Sequence, residues 1–223
     1  MIIHTVKSGE TVYSISSLYG VSDELTIINN GLSGIEERLP EGISLVILEP
    51  EKVYTVKPND TTRSIASKNG ITLNDLYRYN LILGGEDLVF PGQTLVIKYK
   101  DEPIYDYSIG GYSYTSITEK LLNETLPFMK LFMPFTYGFN IEGEIVELDD
   151  ERMLARLFHY GAGAAYFHLS TLTENGNFSN TLSSEILANR AVWPTLADNI
   201  IYIMEENGYS GLDIDFEFLN SSD

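Results

Sequence analysis

The sequence of 223 residues is long enough for one large domain or for several small ones. Its formal net charge of −18 argues against nucleic acid and anionic membranes as partners, and the absence of cysteine excludes a disulfide framework and thiolate metal sites. Because the first residues lack the basic and apolar segments of a signal peptide, and no apolar run is long enough to span a membrane, we expect no export through a standard cleaved signal.

The acidic residues are unevenly distributed along the chain. Residues 1–100 contain 9 Lys or Arg and 12 Asp or Glu, whereas residues 101–223 contain 5 and 20. A shift in composition of this size indicates that the two parts fold separately. It predicts a domain boundary near residues 99–103.

The first hundred residues contain an internal repeat with an offset of 50 residues. His4-Thr5-Val6-Lys7 returns as Tyr54-Thr55-Val56-Lys57, and the alignment continues without a gap. Each copy has the pattern strand, helix, helix, strand. The first helices, over residues 11–19 and 61–69, are each followed by a glycine that suits a left-handed C-cap.

This repeated βααβ pattern resembles the LysM module. The resemblance covers nearly all of residues 2–98 and divides the region into modules at residues 1–49 and 50–100. It implies that each module binds N-acetylglucosamine polymers, such as peptidoglycan or chitin, in a shallow groove between two loops. The alternative is that the repeats pack only as a spacer. The residues that the resemblance implies as glycan contacts are Ser8, Gly9, Glu10, Thr11, Pro58, Asn59, Asp60, Thr61, Phe90 and Pro91.

The two copies differ within the region of resemblance. Copy one has Thr26 where copy two and the family have leucine, here Leu76. Its second loop reads Pro40-Glu41-Gly42 against Phe90-Pro91-Gly92 in copy two. These departures predict weaker binding by the first copy. The small net charge of the region fits a neutral sugar that is recognised through backbone hydrogen bonds and apolar contacts.

Beyond the repeats, the chain alternates predicted strands and helices. This order implies right-handed crossovers and a parallel sheet, so the expected class is α/β for this part and α+β for the LysM modules. Four such strands make half of a (β/α)8 TIM barrel, predicted over residues 101–223. The predicted strands span residues 104–112, 130–139, 162–169 and 211–218, and the predicted helices span residues 116–123, 150–160 and 192–207.

The last predicted strand alternates apolar and acidic residues. Asp213, Asp215 and Glu217 therefore line one face and the apolar residues line the other. Carboxylates this close do not all ionise cheaply, so at least one is expected to hold a proton near neutral pH, as protonation of a glycosidic oxygen requires. Two alternatives stand beside a catalytic role: a solvated acidic strand face and a metal site with hard oxygen ligands. Parallel strands are usually buried on both faces, which favours the catalytic role.

Residues 209–217 resemble the D-G-x-D-x-D-x-E motif of glycoside hydrolase family 18, which contains chitinases and spore-cortex peptidoglycan hydrolases. Ser210 departs from the motif, where most members have aspartate. The resemblance implies that Glu217 is the general acid, that Asp215 orients and stabilises the acetamido group of the substrate, and that Asp213 sets the charge of Asp215. It implies substrate-assisted retaining catalysis with no cofactor and no metal.

Side chains on the earlier strands are candidates for the substrate wall. Tyr112, Phe135 and Tyr137 lie near the ends of their predicted strands, on the side of the acids. His168-Leu169-Ser170 stands where chitinases have S-x-G-G, and His168 either lines the cleft or packs as a hydrogen-bonded residue. Trp193, the only tryptophan, is interpreted as a packing residue.

The resemblance implies four further barrel strands, so we interpret the chain as the first half of a longer barrel and expect residues 101–223 to self-associate. The hypothesis is a cell-wall glycan hydrolase that binds peptidoglycan or chitin through its LysM modules. We expect it at the spore or cell wall, acting in cortex degradation during germination, with no nucleic acid or membrane partner. The alternative is a non-catalytic glycan-binding protein with an inactive or truncated barrel.

Overall fold

The computed structural model describes residues 1–101, 107–217 and 219. The chain forms two compact units, residues 1–106 and 107–223. Parts of two predicted strands, at residues 104–106 and at Phe218, lie outside the described residues, as does part of the predicted boundary at 99–103. In the described part of the chain, no helix is long and apolar enough to cross a membrane.

The first unit consists of two βααβ modules, as the repeat predicts. In each module the first and last strands pair antiparallel and the two helices pack beside them. The first module contains β1 (Ile2–Thr5), α1 (Val12–Tyr19), α2 (Asp23–Asn30) and β2 (Ser44–Ile47), and the second contains β3 (Pro50–Thr55), α3 (Thr62–Asn69), α4 (Leu73–Tyr79) and β4 (Thr94–Tyr99).

The repeated residues explain the bounds of the first helix in each module. Thr11 caps the start of α1 by accepting a hydrogen bond from the backbone of Ser14, whose hydroxyl accepts one from the Thr11 backbone in return. The same capping box recurs one repeat later, at the start of α3. Gly20 ends α1 at a φ of 66°, and Gly70 ends α3 at 71°, which confirms the predicted left-handed C-caps.

The matched asparagines Asn30 and Asn80 hold the last strand of each module against its second helix. The side chain of Asn80 donates to the carbonyl oxygens of Leu76 and Val96 and accepts from the backbone nitrogen of Val96. Asn30 makes the equivalent set of bonds in the first module. The core of the first module consists of Val6, Val12, Ile15, Leu32, Leu45 and Ile47.

The second unit is built on a four-stranded parallel sheet whose strands follow chain order, as expected for part of a barrel. Helices connect its strands, and a short hairpin leaves the sheet after the second strand. The strands are β5 (Gly110–Tyr114), β6 (Leu131–Phe135), β9 (Ala164–Ser170) and β10 (Gly211–Asp215), the hairpin is β7 (Gly138–Phe139) with β8 (Ile145–Val146), and the helices are α5 (Glu119–Thr125), α6 (Glu151–Tyr160), α7 (Leu182–Ala188) and α8 (Trp193–Asn207).

Three predicted strands are shorter in the structure. The first, predicted over residues 104–112, is found within the described residues at Gly110–Tyr114. The strand predicted over residues 130–139 ends at Phe135, and Gly138 then passes so close to the backbone of Leu172 that a Cβ atom would lie 2.0 Å from its carbonyl oxygen. β10 ends at Asp215 because β9 ends at Ser170, its pairing partner. The helix α7 is an element that the sequence pattern did not predict.

A buried carboxylate joins two tyrosine hydroxyls on the face of the sheet opposite Asp213, which we call the outer face. We call this pair of hydrogen bonds the clamp. Asp150, at the start of α6, accepts hydrogen bonds from the hydroxyls of Tyr137, at 2.8 Å, and Tyr209. Tyr137 also stacks on Phe167, with ring centroids 4.1 Å apart. Burial raises the pKa of the Asp150 carboxyl, and the two tyrosine hydroxyls oppose that shift without cancelling it.

Replacing Asp150 with alanine is expected to destabilise the second unit by about 2–4 kcal/mol, because two buried hydroxyls lose their acceptor. The raised pKa gives the effect a pH dependence. The contribution of Asp150 to the free energy of unfolding is fully present below the ordinary pKa of aspartate and is lost as the pH rises through the raised value. The difference between wild type and variant is therefore expected to be larger at pH 5 than at pH 8.

The fluorescence of Trp193 follows the unfolding of the second unit, since Trp193 is the only tryptophan and lies in that unit. Urea unfolding followed by its fluorescence gives the free energy of unfolding of that unit. Asp149→Ala, at the exposed neighbouring position, is the control and is expected to change stability by less than about 0.5 kcal/mol. A loss of less than about 1 kcal/mol for Asp150→Ala would show that the clamp contributes little.

Candidate active site

The acidic residues of β10 lie on one face of the parallel sheet, which we call the acidic face. Side chains of directly paired residues on parallel strands point the same way. Asp213 pairs with His168 on β9, and Asp215 pairs with Ser170. The apolar residues between them point to the outer face, where Leu212 and Ile214 line a cavity of about 510 Å³ together with residues of α8.

One oxygen of Asp213 receives hydrogen bonds from two strands. The hydroxyl of Tyr112, on β5, donates to Oδ2 over 3.0 Å, and Nδ1 of His168 contacts the same oxygen at 2.8 Å. In the sequence, Asp213 lies 101 positions from Tyr112 and 45 positions from His168. The hydrogen bond to Asp213 raises the pKa of the Tyr112 hydroxyl, and burial adds a smaller contribution.

Aromatic side chains form a wall beside Asp213. Tyr112 is 59% exposed and lies edge-on to Phe135, at 6.2 Å between ring centroids. The sequence analysis named both residues but missed two others. Tyr114 lies 5.0 Å from Phe135, and Phe178, from the loop after β9, lies 6.2 Å from it. Period-two spacing from Tyr112 would have identified Tyr114, whereas no local signal marks Phe178.

Tyr137 and His168 do not contribute to the exposed wall. This corrects the expectation that Tyr137 lines the cleft, and for His168 it favours the second alternative, a hydrogen-bonded packing residue. Tyr137 lies two residues beyond the end of β6 and turns to the outer face, where it bonds Asp150 and is 2% exposed. His168 is on the acidic face but is 1% exposed, because aromatic rings cover it. Its polar contact is with Asp213 rather than with solvent.

Asp215 and Glu217 are more exposed to solvent than the residues in the core of the sheet. Asp215 is the last residue of β10 and is partly exposed, while Glu217 follows the strand and is exposed. Within the described part of the chain, the exposed side chain of Glu217 makes no hydrogen bond or ion pair. The same residues include no group of three or more His, Asp or Glu side chains placed to hold a metal ion.

The two carboxylates predicted to contact glycan in the first unit form hydrogen bonds within their own loops. Glu10 accepts hydrogen bonds from the backbone of Lys7 and from Nε2 of His4 through one oxygen, each at 2.8 Å. The bond from the Lys7 backbone is the main reason that the pKa of Glu10 is lowered. Asp60 is bound in the same way by Tyr54 and the Lys57 backbone, with Lys68 added, and its pKa is lowered too, with Lys68 as the largest cause.

The loop before the last strand of the second module carries two exposed apolar side chains whose matched positions in the first module differ. Phe90 is 59% exposed and Leu88 is 64% exposed, on the loop that precedes β4. The positions 50 residues earlier hold Pro40 and Arg38. Of the remaining predicted contacts, Pro91 is exposed beside Phe90, and Ser8, Gly9, Pro58 and Asn59 are exposed on the first loops. The hydroxyls of Thr11 and Thr61 are used as helix caps.

Comparison with known proteins identifies the repeats. Residues 4–47 and 54–98 match the LysM domain, so the chain carries two LysM modules. The protein YdhD of Bacillus subtilis is 28% identical over 233 residues, covering 100% of this chain and 52% of YdhD. A cortical fragment-lytic enzyme of Bacillus anthracis is 28% identical over 224 residues, covering 99% of this chain and 52% of that enzyme.

A solved structure matches the whole chain as well. The crystal structure of the spore cortex-lytic enzyme SleL of Bacillus megaterium has a TM-score of 0.65 and 26% identity, and the match covers 99% of this chain and 52% of SleL. The chain spans about half the length of the curated relatives that it matches. The chain therefore combines two LysM modules with a partial parallel barrel, and it is similar along its full length to spore cortex-lytic enzymes.

Proposed function

We propose that the whole protein is a cell-wall glycan hydrolase that binds peptidoglycan through its LysM modules and cleaves N-acetylglucosamine glycosidic bonds. The observation that carries the proposal is the acidic face of β10, where Asp213 and Asp215 lie beside an exposed aromatic wall. Carboxylates next to aromatic rings suit a sugar, whose ring faces pack on aromatic side chains while its hydroxyl and amide groups meet polar ones.

In the proposed reaction, Glu217 gives its proton to the glycosidic oxygen. The carbonyl oxygen of the substrate's own acetamido group forms a bond to the anomeric carbon as the bond to the leaving sugar breaks. Asp215 stabilises the positive charge that develops on the acetamido group. Water then adds to the anomeric carbon from the face that the leaving sugar vacated, the bond from that carbon to the acetamido oxygen breaks, and one proton of the water returns to Glu217. Two inversions at the anomeric carbon retain its configuration.

The similarity to cortex-lytic enzymes supports a role at the spore or cell wall, in degradation of the cortex during germination. Release of reducing ends from purified peptidoglycan by the whole protein tests the activity. The competing function is a glycan-binding protein without catalysis. Tight binding to peptidoglycan with no release of reducing ends would favour it.

The first unit is expected to bind insoluble peptidoglycan by itself. Residues 1–106 should sediment with the polymer and be released by N-acetylglucosamine oligomers. Binding is expected to change little between low and high salt, because residues 1–100 carry a net charge of only −3 and the exposed predicted contacts are uncharged. A steep salt dependence, or failure to bind, would contradict recognition of a neutral glycan.

The second module is proposed to supply most of this binding energy, since its loop exposes Phe90 and Leu88. Phe90→Ala is expected to weaken binding about tenfold, the loss expected when an exposed aromatic anchor of about 1.4 kcal/mol is removed. Pro40→Ala, at the matched position of the first module, is the control and should leave affinity within about twofold. Equal effects of the two substitutions would show that the modules contribute alike.

A further inference from the structure

A cleft of about 740 Å³ lies between the two modules of the first unit. The first module lines one side of it with α2 and residues 20–22, and the second module lines the other side with β3, β4 and the loop that precedes β4. Both modules belong to one compact unit. A ligand in this cleft would therefore contact both modules at once.

Polar contacts join the two modules beside the cleft. The backbone nitrogen of Lys100, which follows β4, donates to the carbonyl oxygen of Glu49, and Nζ of Lys100 donates to Oε1 of Glu49, each over 3.0 Å. Burial raises the pKa of the Tyr99 hydroxyl on β4, and a hydrogen bond with Asn29 of α2 opposes that shift. These contacts limit movement between the modules, so little ordering of the protein opposes binding in the cleft.

Apolar side chains from both modules line the cleft. Val53, on β3, is 50% exposed, and Ile82, on the loop before β4, is 39% exposed. Leu25 and Ile28 of α2 are partly exposed on the opposite side. A ligand between the modules can therefore bury apolar surface against both walls.

Hydroxyl groups on both walls are available for hydrogen bonds. Ser22 occupies the N-cap position of α2, yet its side chain makes no capping bond, whereas the matched Thr72 caps α4 by accepting from the backbone of Asp75. Within the described part of the chain, the hydroxyl of Thr94, on β4, also has no protein partner. Ser22 and Thr94 are both exposed, so each hydroxyl can bond a ligand in the cleft.

The charge of the lining favours an uncharged ligand. Among the described residues that line the cleft, Glu24 is the one charged side chain. An anionic ligand would meet this carboxylate, and a strongly cationic one would find no second acid to pair with. An N-acetylated sugar fits the lining, because its ring faces and acetyl methyl group are apolar while its hydroxyl and amide groups form hydrogen bonds.

The cleft continues the surface that is predicted to bind glycan. Gly92 and Gln93 line the cleft, and they directly follow Phe90 and Pro91, which are exposed predicted contacts of the second module. A glycan chain on this loop that extends past Gly92 would enter the cleft and reach α2.

We infer that the cleft is a binding site for a neutral N-acetylated glycan, and that one glycan chain runs from the loop of the second module across the cleft to α2 of the first. The inference rests on the proposed function and adds to it a site that neither module contains alone. The first module then contributes to binding through α2 rather than through its own second loop, where Pro40 stands at the position of Phe90.

Methyl resonances of the first unit locate the glycan. The tetramer and the octamer of N-acetylglucosamine are added to the whole protein carrying Glu217→Gln, so that little cleavage occurs during the titration. We expect the octamer to shift the resonances of Val53 and Ile28 together with that of Leu88, on the loop before β4. Ile3 is the internal control, because it matches Val53 one repeat earlier and is 55% exposed, and its resonance should not shift.

A substitution in the cleft tests the contribution to affinity in the same titrations. Val53→Glu is expected to weaken octamer binding about tenfold and tetramer binding less than twofold, because only the longer chain extends from the loop into the cleft. Ile3→Glu places the same side chain at the matched position of β1 and should leave both affinities within about twofold. Equal weakening of tetramer and octamer by Val53→Glu, or no weakening of the octamer, would overturn the inference.

The spectra also separate the inference from the function on which it rests. If both oligomers shift Leu88 but neither shifts Val53 and Ile28, glycan binding by the second module stands and the cleft is not part of the site. If neither oligomer shifts any resonance of the first unit, the proposed glycan recognition by the LysM modules fails, and the inference fails with it.

Discussion

Replacing Glu217 with glutamine is expected to lower the rate of glycan hydrolysis by about 10²–10⁴-fold, the usual contribution of general acid catalysis. Glutamine keeps the size of the side chain and its ability to form hydrogen bonds but has no proton to transfer. Glu217 is exposed just beyond β10, so the substitution disturbs no packing. Binding to peptidoglycan should persist, because the LysM modules are unchanged. The measurement is release of reducing ends from peptidoglycan or chitin oligomers by the whole protein.

The matched control is Glu205→Gln, an exposed glutamate on α8, which should leave the rate within about twofold. A chelator should also leave the rate of the wild-type enzyme unchanged, which distinguishes this chemistry from the metal site that the acidic motif left open. If Glu217→Gln retains activity within a few-fold of wild type, Glu217 is not the acid, and the assignment of roles on β10 is wrong.

Replacing Asp215 with asparagine is expected to lower the rate by about 10²–10³-fold, the loss typical when a preorganised electrostatic partner is removed. The acetamido group becomes positively charged in the proposed intermediate, and a neutral amide stabilises that charge far less than a carboxylate. Because Asp215 ends β10 and is only partly buried, asparagine should fit without loss of stability. The rate is measured as for Glu217.

The control is Asp198→Asn, an exposed aspartate on α8 of the same unit. A second measurement distinguishes the loss of charge from a loss of stability. The melting temperatures of the wild type and Asp215→Asn should agree within about 2 °C. A normal rate in Asp215→Asn would show that the substrate's acetamido group does not need this carboxylate. A low rate accompanied by a large fall in melting temperature would show that Asp215 acts on the fold instead.

The modules, the ends of their first helices and the two faces of β10 could be predicted from the sequence, because each depends on neighbouring residues. The 50-residue repeat fixed the βααβ modules, and Thr11, Gly20 and their counterparts set the ends of the first helices. Likewise, strict alternation of acidic and apolar residues predicted the two faces of β10. Each of these features depends on residues within a few positions of one another.

The parts that the sequence did not reveal depend on distant residues. Tyr112, His168 and Asp213 come from three strands, and nothing in their local patterns shows that two side chains converge on one oxygen. Tyr137 was misplaced because the alternation that holds for β6 does not continue beyond Phe135. Phe178 reaches the aromatic wall from a loop, where no periodicity applies.

The alternation along β10 also limits how this strand can change in evolution. Inserting or deleting one residue between Gly211 and Asp215 would turn every later side chain to the opposite face. The carboxylates would then enter the apolar layer beneath α8, and leucine and isoleucine would face the aromatic wall. A change of two residues restores the facing of each side chain and shifts only the distance along the strand. Length variation at this strand among descendants of the chain is therefore expected in even steps.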